Sequence, residues 1–227
     1  MSEPGAELAP EARAALGAVL ELLREDPASL SSITDERAWT VHVADSLTGL
    51  EVPEVRQARR VADVGAGAGF PGLVLAVALP DARVDLIESV SRKSGFIERA
   101  AAAAGIGNAR VLNARSEEVA DGEGREAYDL VTARAVGRLA TLAELASPLL
   151  REGGVLVAWK GRRDADEEAE MERAAEVLAM RPEAVLDVGE RAGSRHRHLH
   201  VTRKSGPTPV DLPRRPGIAK KRPKGSA

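Results

Sequence analysis

Hydrophobic positions along the chain form two patterns, and their order predicts an α/β protein. Short apolar runs, which indicate buried strands, alternate with segments of helical spacing between residues 60 and 159. The predicted strands are 60–64, 83–87, 109–112, 128–133 and 154–159, and the predicted helices between them are 71–78, 91–104 and 139–150. This alternation is typical of a parallel sheet with helices on both faces.

Two helices are predicted before the first strand. Apolar residues recur at helical spacing over residues 7–25. The segment Ser32-Ile-Thr-Asp35 then offers N-cap side chains for a second helix, which runs to Leu50 and is followed by a linker with Pro53. We therefore expect a helical extension in front of the sheet.

The chain after residue 160 predicts an antiparallel addition and an irregular tail. A charged helix at 164–180 precedes strands at 184–188 and 197–203, and the short polar connection between these strands favours a hairpin. Five prolines after residue 206 disfavour regular structure there. The complete prediction is a mostly parallel seven-stranded sheet with an antiparallel last strand. It is divided into an N-terminal helical extension, a central domain and a basic tail at residues 1–55, 56–205 and 206–227.

Composition and charge narrow the classes of function. The 227 residues are 44% hydrophobic, which is enough for the core of one such domain. The absence of cysteine excludes disulfides, thiolate metal sites and a cysteine nucleophile. Without an apolar signal region or an apolar run of 18 residues, we expect a cytoplasmic protein. Residues 191–227 carry eleven Lys and Arg against one acid, Asp211, although the whole chain has a net charge of −3. This basic end predicts a polyanionic partner, and a solvated terminus is the alternative.

A glycine-dense turn follows the first predicted strand. Residues 61–72 read Val-Ala-Asp-Val-Gly-Ala-Gly-Ala-Gly-Phe-Pro-Gly. Glycine has no Cβ and tolerates positive φ, so the backbone at Gly65, Gly67 and Gly69 can bend sharply and approach a ligand. Glu88 closes the second strand 19 residues beyond Gly69, where an acidic residue meets a ribose in doubly wound folds. The pattern predicts a nucleoside-containing cofactor.

The same turn distinguishes two cofactors. Gly67, Gly69 and Gly72 match the spacing of a dinucleotide motif, but the glycine directly after the strand is Gly65. Pro71 supplies no N–H at the helix start, where a pyrophosphate depends on amide groups. We therefore favour S-adenosylmethionine, which has no phosphate, over a dinucleotide. Asp63 either orders the turn or lies near the methionine amino group.

Two later segments add candidate residues. Ser116 and Glu117 follow the third strand, where an adenine lies in this architecture, and they either meet its exocyclic amine or cap a helix. Arg134 ends the fourth strand at the same edge. It binds a carboxylate or an RNA phosphate, or forms a surface salt bridge.

Taken together, these motifs resemble one family closely. The segment Trp39-Thr-Val-His42-Val-Ala-Asp45-Ser-Leu47, the glycine turn, Ser116-Glu117, Ala133-Arg134-Ala135 and the tail from Pro213 to Pro223 recur in this order. They resemble RsmG (GidB), the bacterial small-subunit ribosomal RNA guanine-N7 methyltransferases. The resemblance covers residues 15–224; the histidines at 196, 198 and 200 and Trp159 depart from the usual pattern.

The resemblance implies a Rossmann-like class I fold, S-adenosylmethionine as cofactor and a guanine in the decoding-region loop of 16S rRNA as substrate. It implies that the cofactor site is lined by Gly65, Phe70, Ser116, Glu117 and Arg134. We expect 16S rRNA or the small ribosomal subunit as partner, no membrane or protein partner, and a monomer.

Hypotheses for the chemistry start from the target atom. Guanine N7 has an in-plane lone pair and no proton, so the reaction requires alignment rather than a general base. We expect Trp39 or Phe70 to stack on a ring, and His42 and Asp45, on one helix face, to position the base edge. Asp45 also offsets the charge that alkylation creates. The alternatives are a packed Trp39 and a helix-surface pair.

RNA contacts are expected from the basic end of the chain. The predicted contact residues are Arg197, Arg214, Arg215, Lys220, Lys221 and Arg222. His196, His198 and His200 share one strand face, but the flanking arginines favour RNA or solvent over a metal, and we predict no metal site. The rival functions are a NAD-dependent oxidoreductase, an RNA-binding protein that holds the cofactor without turnover, and a small-molecule methyltransferase.

Overall fold

Seven strands form one sheet in the structure, a computed structural model that describes residues 8–27, 30–190, 192–194 and 196–225. The strands lie in the order β3-β2-β1-β4-β5-β7-β6. Their bounds are β1 Arg60–Val64, β2 Arg83–Ile87, β3 Ala109–Leu112, β4 Tyr128–Arg134, β5 Leu150–Lys160, β6 Met180–Asp187 and β7 His198–Lys204. Strands β1 to β5 pair in parallel, and β7 pairs antiparallel with both β5 and β6. The predicted sheet and its hairpin are confirmed.

The strand order creates a crevice at one edge. Strand β1 pairs with β2 on one side and with β4 on the other. The connection after β1 leads to β2 on one side of β1, whereas the connection after β3 crosses to β4 on the other side. The helices of these connections therefore separate at the carboxyl ends of β1 and β4. In open α/β sheets, ligands bind at such a switch point.

Helices cover both faces of the sheet. Their bounds are α1 Pro10–Glu25, α2 Asp45–Leu47, α3 Pro53–Gln57, α4 Gly72–Ala78, α5 Ser91–Ala103, α6 Ser116–Ala120, α7 Leu139–Ala146, α8 Ala165–Ala175 and α9 Ile218–Lys221. A π-helix (Trp39–Ala44) precedes α2, and 3₁₀ turns span Thr48–Glu51 and Glu176–Leu178. On one face the core includes Leu16 of α1, Leu73 and Phe96, and on the other it includes Leu142 and Met171.

Three predicted features are wrong at the local level. The linker at Pro53 is helix α3, because proline suits a first helical turn. The second helix begins at Trp39 rather than at Ser32-Asp35. The Asp35 carboxylate instead accepts hydrogen bonds from the backbone N–H and side chain of Arg37. The tail contains the short helix α9.

The helical extension packs into the same body as the sheet. The indole of Trp159 on β5 is buried, and its Nε1 donates to Asp45 O at 2.9 Å. The ring lies so close to Gly49 that a Cβ there would be 2.6 Å from Trp159 Cζ2. This contact holds the segment from Trp39 to Glu51 against the carboxyl end of the sheet. The division at 55 and 205 stays a prediction. No helix among the described residues is long and apolar enough to cross a membrane.

Candidate functional site

The glycine turn connects β1 to α4 at the carboxyl edge of the sheet. Gly65, Gly67 and Gly69 have φ values of 68°, 62° and 93°, so the bend that the sequence predicted is present. A Cβ at Gly65 would lie 2.7 Å from Val136 Cγ2. The turn therefore passes close to the segment after β4, and a larger side chain there would fill the crevice.

Most amide groups of this turn donate hydrogen bonds within the protein. Gly65 N–H and Ala66 N–H donate to Ile87 O, and Gly67 N–H donates to a carboxylate oxygen of Glu88 at 3.0 Å. At the start of α4, Pro71 has no N–H, and the next two amides donate to Asp63 Oδ2 and Gly69 O. A pyrophosphate needs free amides at this position. The turn is suited instead to a nucleoside without phosphates.

Asp63 lies beneath the turn rather than in the crevice. Its side chain is fully buried, with Oδ2 accepting from Gly72 N–H and Oδ1 from Thr132 Oγ1, both at 2.9 Å. Burial raises the pKa of Asp63 to about 7, and the hydrogen bonds from Thr132 and Gly72 oppose this shift. Of the two predicted roles, the structure shows that Asp63 orders the turn.

A cleft of about 150 Å³ opens beside the turn. Gly65 lines it after β1, Glu88 after β2, and Ser116 and Glu117 on α6. Each carboxylate oxygen of Glu88 accepts one backbone N–H, from Gly67 at 3.0 Å and Val90 at 2.8 Å. A carboxylate oxygen can accept more than one hydrogen bond, so Glu88 is still able to accept hydrogen bonds from ribose hydroxyl groups.

The opposite wall of the cleft comes from α7 and from the tail. Thr141 and Leu145 of α7 face the cleft, together with Gly217 and Lys220 of the tail. Glu117 joins the two walls, because its Oε1 accepts from Gly217 N–H at 2.8 Å. The cavity is lined by both apolar side chains and carboxylates, which fits an adenosine group. No tail residue is predicted at this cleft from the sequence.

A second group of predicted residues meets at the end of β4. Arg134 Nη1 donates to Asp45 Oδ2 at 2.9 Å and to Val41 O at 3.0 Å. The ring of His42 stacks on that of Phe70 with centroids 4.8 Å apart, and the Arg134 guanidinium lies 5.7 Å from the Phe70 centroid. Three residues predicted from two separate motifs, His42 and Asp45 from one and Arg134 from the other, thus form one charged cluster.

Asp45 is a buried carboxylate between two arginines. Its side chain is 1% exposed, and Arg197 Nε lies 2.7 Å from Asp45 Oδ1 without the alignment of a hydrogen bond. With Arg134 on its other oxygen, the carboxylate carries two cationic partners. Such a pair is costly to break because a charge would stay buried without compensation. Asp45 is therefore not the predicted surface pair with His42.

His42 is neutral near pH 7. Burial lowers the pKa of His42 more than its hydrogen bond to Ile33 O raises it. Nε2 lies 3.0 Å from that carbonyl and therefore carries the hydrogen, which leaves Nδ1 as an acceptor 3.4 Å from Arg134 Nη2. Both ring nitrogens are engaged, so His42 orients Arg134 and Phe70 and has no lone pair free to act as a base.

Other predicted residues lie elsewhere or have other partners. Trp39 is half-buried beneath the Arg13 guanidinium, 4.6 Å from the ring centroid, and packs on the core. Arg214 forms a bidentate ion pair with buried Glu144. The other four tail cations predicted to contact RNA are exposed, and none of them has an ion-pair partner among the described residues: Arg215, Lys220, Lys221 and Arg222.

The histidines near the last strand do not converge. His200 is buried and His198 Nδ1 contacts Gly161 O, while His196 is exposed in the connection before β7. In the described part of the chain, no three His, Cys, Asp or Glu side chains form a group that could hold a metal.

One residue at the site has a strained backbone that the sequence does not predict. Ala135, directly after Arg134, has a φ of 60°, which is unfavourable for a residue with a Cβ. No composition rule marks an alanine for this conformation. The bend brings Val136 over Gly65 and into the wall of the cleft.

Comparison with known proteins identifies the family. The family model GidB, described as rRNA small subunit methyltransferase G, matches residues 22–199. The chain belongs to this family. A protein of Pelotomaculum thermopropionicum named ribosomal RNA small subunit methyltransferase G is 39% identical over 202 residues, which are 88% of this chain and 84% of that protein. A protein of the same name from Rubrobacter xylanophilus is 44% identical over 80% of this chain and 71% of its own length.

Solved structures agree on the fold. The Methanococcus jannaschii fibrillarin pre-rRNA processing protein aligns with a TM-score of 0.57 at 18% identity, over 72% of this chain and 74% of that chain. The structure of MtNAS in complex with MTA and tNA aligns with a TM-score of 0.58 at 11% identity, over 86% of this chain and 71% of that chain. The predicted family, the methyltransferase fold class and the rRNA methyltransferase class are confirmed, and the predicted cofactor, S-adenosylmethionine, agrees with them.

Proposed function

We propose that this chain transfers the methyl group of S-adenosylmethionine to N7 of a guanine in the decoding-region loop of 16S rRNA. Family membership supports an rRNA substrate. The main support for this cofactor is the glycine turn. Most of its amide groups donate hydrogen bonds within the protein, and it lies beside a cleft that is lined in part by carboxylates. This arrangement disfavours the rival NAD-dependent oxidoreductase.

The cofactor-binding roles follow from position. Gly65, Gly67 and Gly69 have no Cβ and let the turn lie close to the cofactor. Glu88 accepts hydrogen bonds from the ribose hydroxyl groups. Ser116 and Glu117 accept hydrogen bonds from the exocyclic amine of adenine at the other end of the cleft. The cofactor supplies a methyl group that its sulfonium already activates.

Alignment is the main contribution of the protein to the reaction. Guanine N7 attacks through a lone pair, and holding two reactants in line contributes about 7–11 kcal/mol. The engagement of both His42 nitrogens is consistent with chemistry that needs no base. Asp45, buried between Arg134 and Arg197, acts as a positioning residue that keeps the Arg134 guanidinium at the end of β4. Arg134 then binds the cofactor carboxylate or an RNA phosphate.

RNA binding is assigned to the exposed part of the tail. Arg215, Lys220, Lys221 and Arg222 are exposed beside the cleft and supply contacts to phosphates. Arg197 and Arg214 support RNA binding indirectly, because each neutralises a buried acid, Asp45 and Glu144 respectively. Because side chains cannot enter the deep groove of A-form RNA, the target must be a loop base or be unstacked. The Phe70 ring stacks on His42 of the charged cluster. We place this function in the cytoplasm, in a monomer.

The direct test supplies labelled S-adenosylmethionine with unmodified small subunits or free rRNA, and maps N7-methylguanine by borohydride and aniline cleavage. A single new cleavage site in 16S rRNA is expected. An Arg134→Lys variant, which keeps the charge but not the fork geometry, should transfer methyl more slowly. Binding of rRNA without any methyl transfer would contradict the proposal and favour the non-catalytic rival.

A further inference from the structure

The carboxylate of Glu117 connects two parts of the chain that are 100 residues apart. Its Oε1 accepts the backbone N–H of Gly217 at 2.8 Å, and its Oε2 accepts from Ser116 Oγ at 3.2 Å. The side chain is buried and lies in the wall of the cleft. The residue expected to meet the adenine therefore also holds the tail.

Several further contacts hold the tail to α7. Arg214 Nη2 donates to Glu144 Oε2 at 2.6 Å, and Lys224 N–H donates to the same oxygen at 3.1 Å. Thr141 Oγ1 donates to Ala219 O at 3.3 Å. Glu144 is 3% exposed, so Arg214 neutralises a charge that would otherwise be buried alone. These contacts hold the segment from Arg214 to Lys224 in one position along the cleft.

We propose that the turn Gly217–Lys220, which opens helix α9, is a wall of the cofactor cleft. We propose further that tail docking and cofactor binding strengthen each other through Glu117. The inference rests on the proposed cofactor site. When the tail docks, Gly217 N–H fixes the Glu117 carboxylate and the turn closes the side of the cleft opposite Glu88. Because coupling between two binding equilibria is reciprocal, the cofactor must stabilise the docked tail by the same factor. The alternative is a tail that only covers α7.

A single-residue variant tests the first half of this coupling. Gly217 has a φ of 82°, and a Cβ there meets no atom within 4 Å. Gly217→Ala therefore strains the docked turn without a clash and without losing the hydrogen bond donor, and should weaken docking by about tenfold. Gly206→Ala is the matched control, because it lies in the same tail, in open space and without a positive φ.

Calorimetry with S-adenosylhomocysteine gives the readout. We expect Gly217→Ala to weaken binding by up to about tenfold, and deletion of residues 214–227 to weaken it further, with Gly206→Ala unchanged. Circular dichroism confirms that each variant is folded. Equal affinity in the full-length and the folded truncated protein would overturn the inference while leaving the proposed function intact. No binding to the full-length protein would instead overturn the proposed function.

Limited proteolysis tests the second half. Lys220 and Lys221 are exposed and no proline follows either residue, so trypsin cleaves there when the tail leaves the body. Saturating S-adenosylhomocysteine should slow cleavage at these sites several-fold in the wild-type chain and less in Glu117→Gln. Cleavage of the wild-type chain that is indifferent to S-adenosylhomocysteine would overturn the coupling.

Discussion

The glycine turn and the charged cluster lie side by side at the carboxyl edge of the sheet, but they are built in different ways. The turn is held mainly by its own backbone N–H groups, such as that of Gly72, which donates to the side chain of Asp63 nine residues away. The cluster consists of side chains from distant elements, such as Arg134 and Asp45, which are 89 residues apart. Its charges are buried, whereas the polar groups of the turn are mainly amides.

This difference shows which part of the site tolerates change. A turn of internally bonded amides depends on φ angles and on space, so a variant there should change ligand affinity as well as folding stability. A carboxylate between two guanidinium groups contributes mainly to folding, because removing one member leaves uncompensated charge. Substitutions in the two regions should therefore affect different properties.

Asp45→Asn should be the most damaging change to stability. The amide has the same shape but leaves Arg134 and Arg197 without a counter-charge, at a cost of about 3–5 kcal/mol in the free energy of unfolding. Urea denaturation measures this cost. Asp35→Asn is the matched control, since Asp35 pairs with Arg37 on the surface, and its effect on the free energy of unfolding should be far smaller. Equal effects of the two substitutions would remove the distinction between the cluster and a surface pair.

Asp63→Asn should change how stability depends on pH. The folded pKa of Asp63 is raised to about 7 from 3.8, so the folded protein binds this proton more tightly than the unfolded chain does. The contribution is fully present below pH 3.8 and is lost as the pH rises through 7, at up to about 1.4 kcal/mol per pH unit. Relative to Asp63→Asn, the wild-type protein should therefore lose stability between pH 4 and 7. Parallel stability curves for the two proteins would contradict the buried, protonated state.

Gly65→Ala should weaken cofactor binding and should destabilise the fold by less than Asp45→Asn does. The alanine would have a φ of 68° and its Cβ would lie 2.7 Å from Val136 Cγ2, so we expect a cost of about 1–3 kcal/mol in the free energy of unfolding and weaker binding of S-adenosylhomocysteine. Calorimetry provides the measurement, and Gly107→Ala, in open space, is the control. Adding Val136→Ala should relieve the contact but not the strain, and so restore only part of the affinity. Full affinity in Gly65→Ala would show that the turn does not approach the ligand.

The tail should contribute to RNA affinity through charge alone. Lys221→Ala with Arg222→Ala removes two exposed cations that do not line the cleft, and should reduce the slope of log affinity against log salt by about 1.4. Arg56→Ala with Arg59→Ala removes two exposed cations near the opposite edge of the sheet and should leave the slope unchanged. An unchanged slope in the tail variant would remove these residues from the RNA interface.

Local pattern was sufficient for the first three strands. The predicted ranges 60–64, 83–87 and 109–112 match β1, β2 and β3 residue for residue, because Gly65, Glu88 and Asn113 end the three runs. The predicted helix 139–150 instead ends at Ala146 and β5 begins at Leu150. Leu149 and Leu150 extend the apolar spacing of the helix beyond Pro148, so periodicity does not mark the boundary, and pairing of Leu150 with Tyr128 sets it.

The amino-acid order by itself determined the α/β class, the bend at Gly65 to Gly69 and the family, since these depend on periodicity, on glycine and on motifs within short segments. Only the tertiary structure decided that Asp45 is buried between Arg134 and Arg197, and that Arg214 holds the tail beside the cleft. A charged residue looks the same in sequence whether it faces solvent or a buried counter-charge. Its partner is chosen by the packing of elements far apart along the chain.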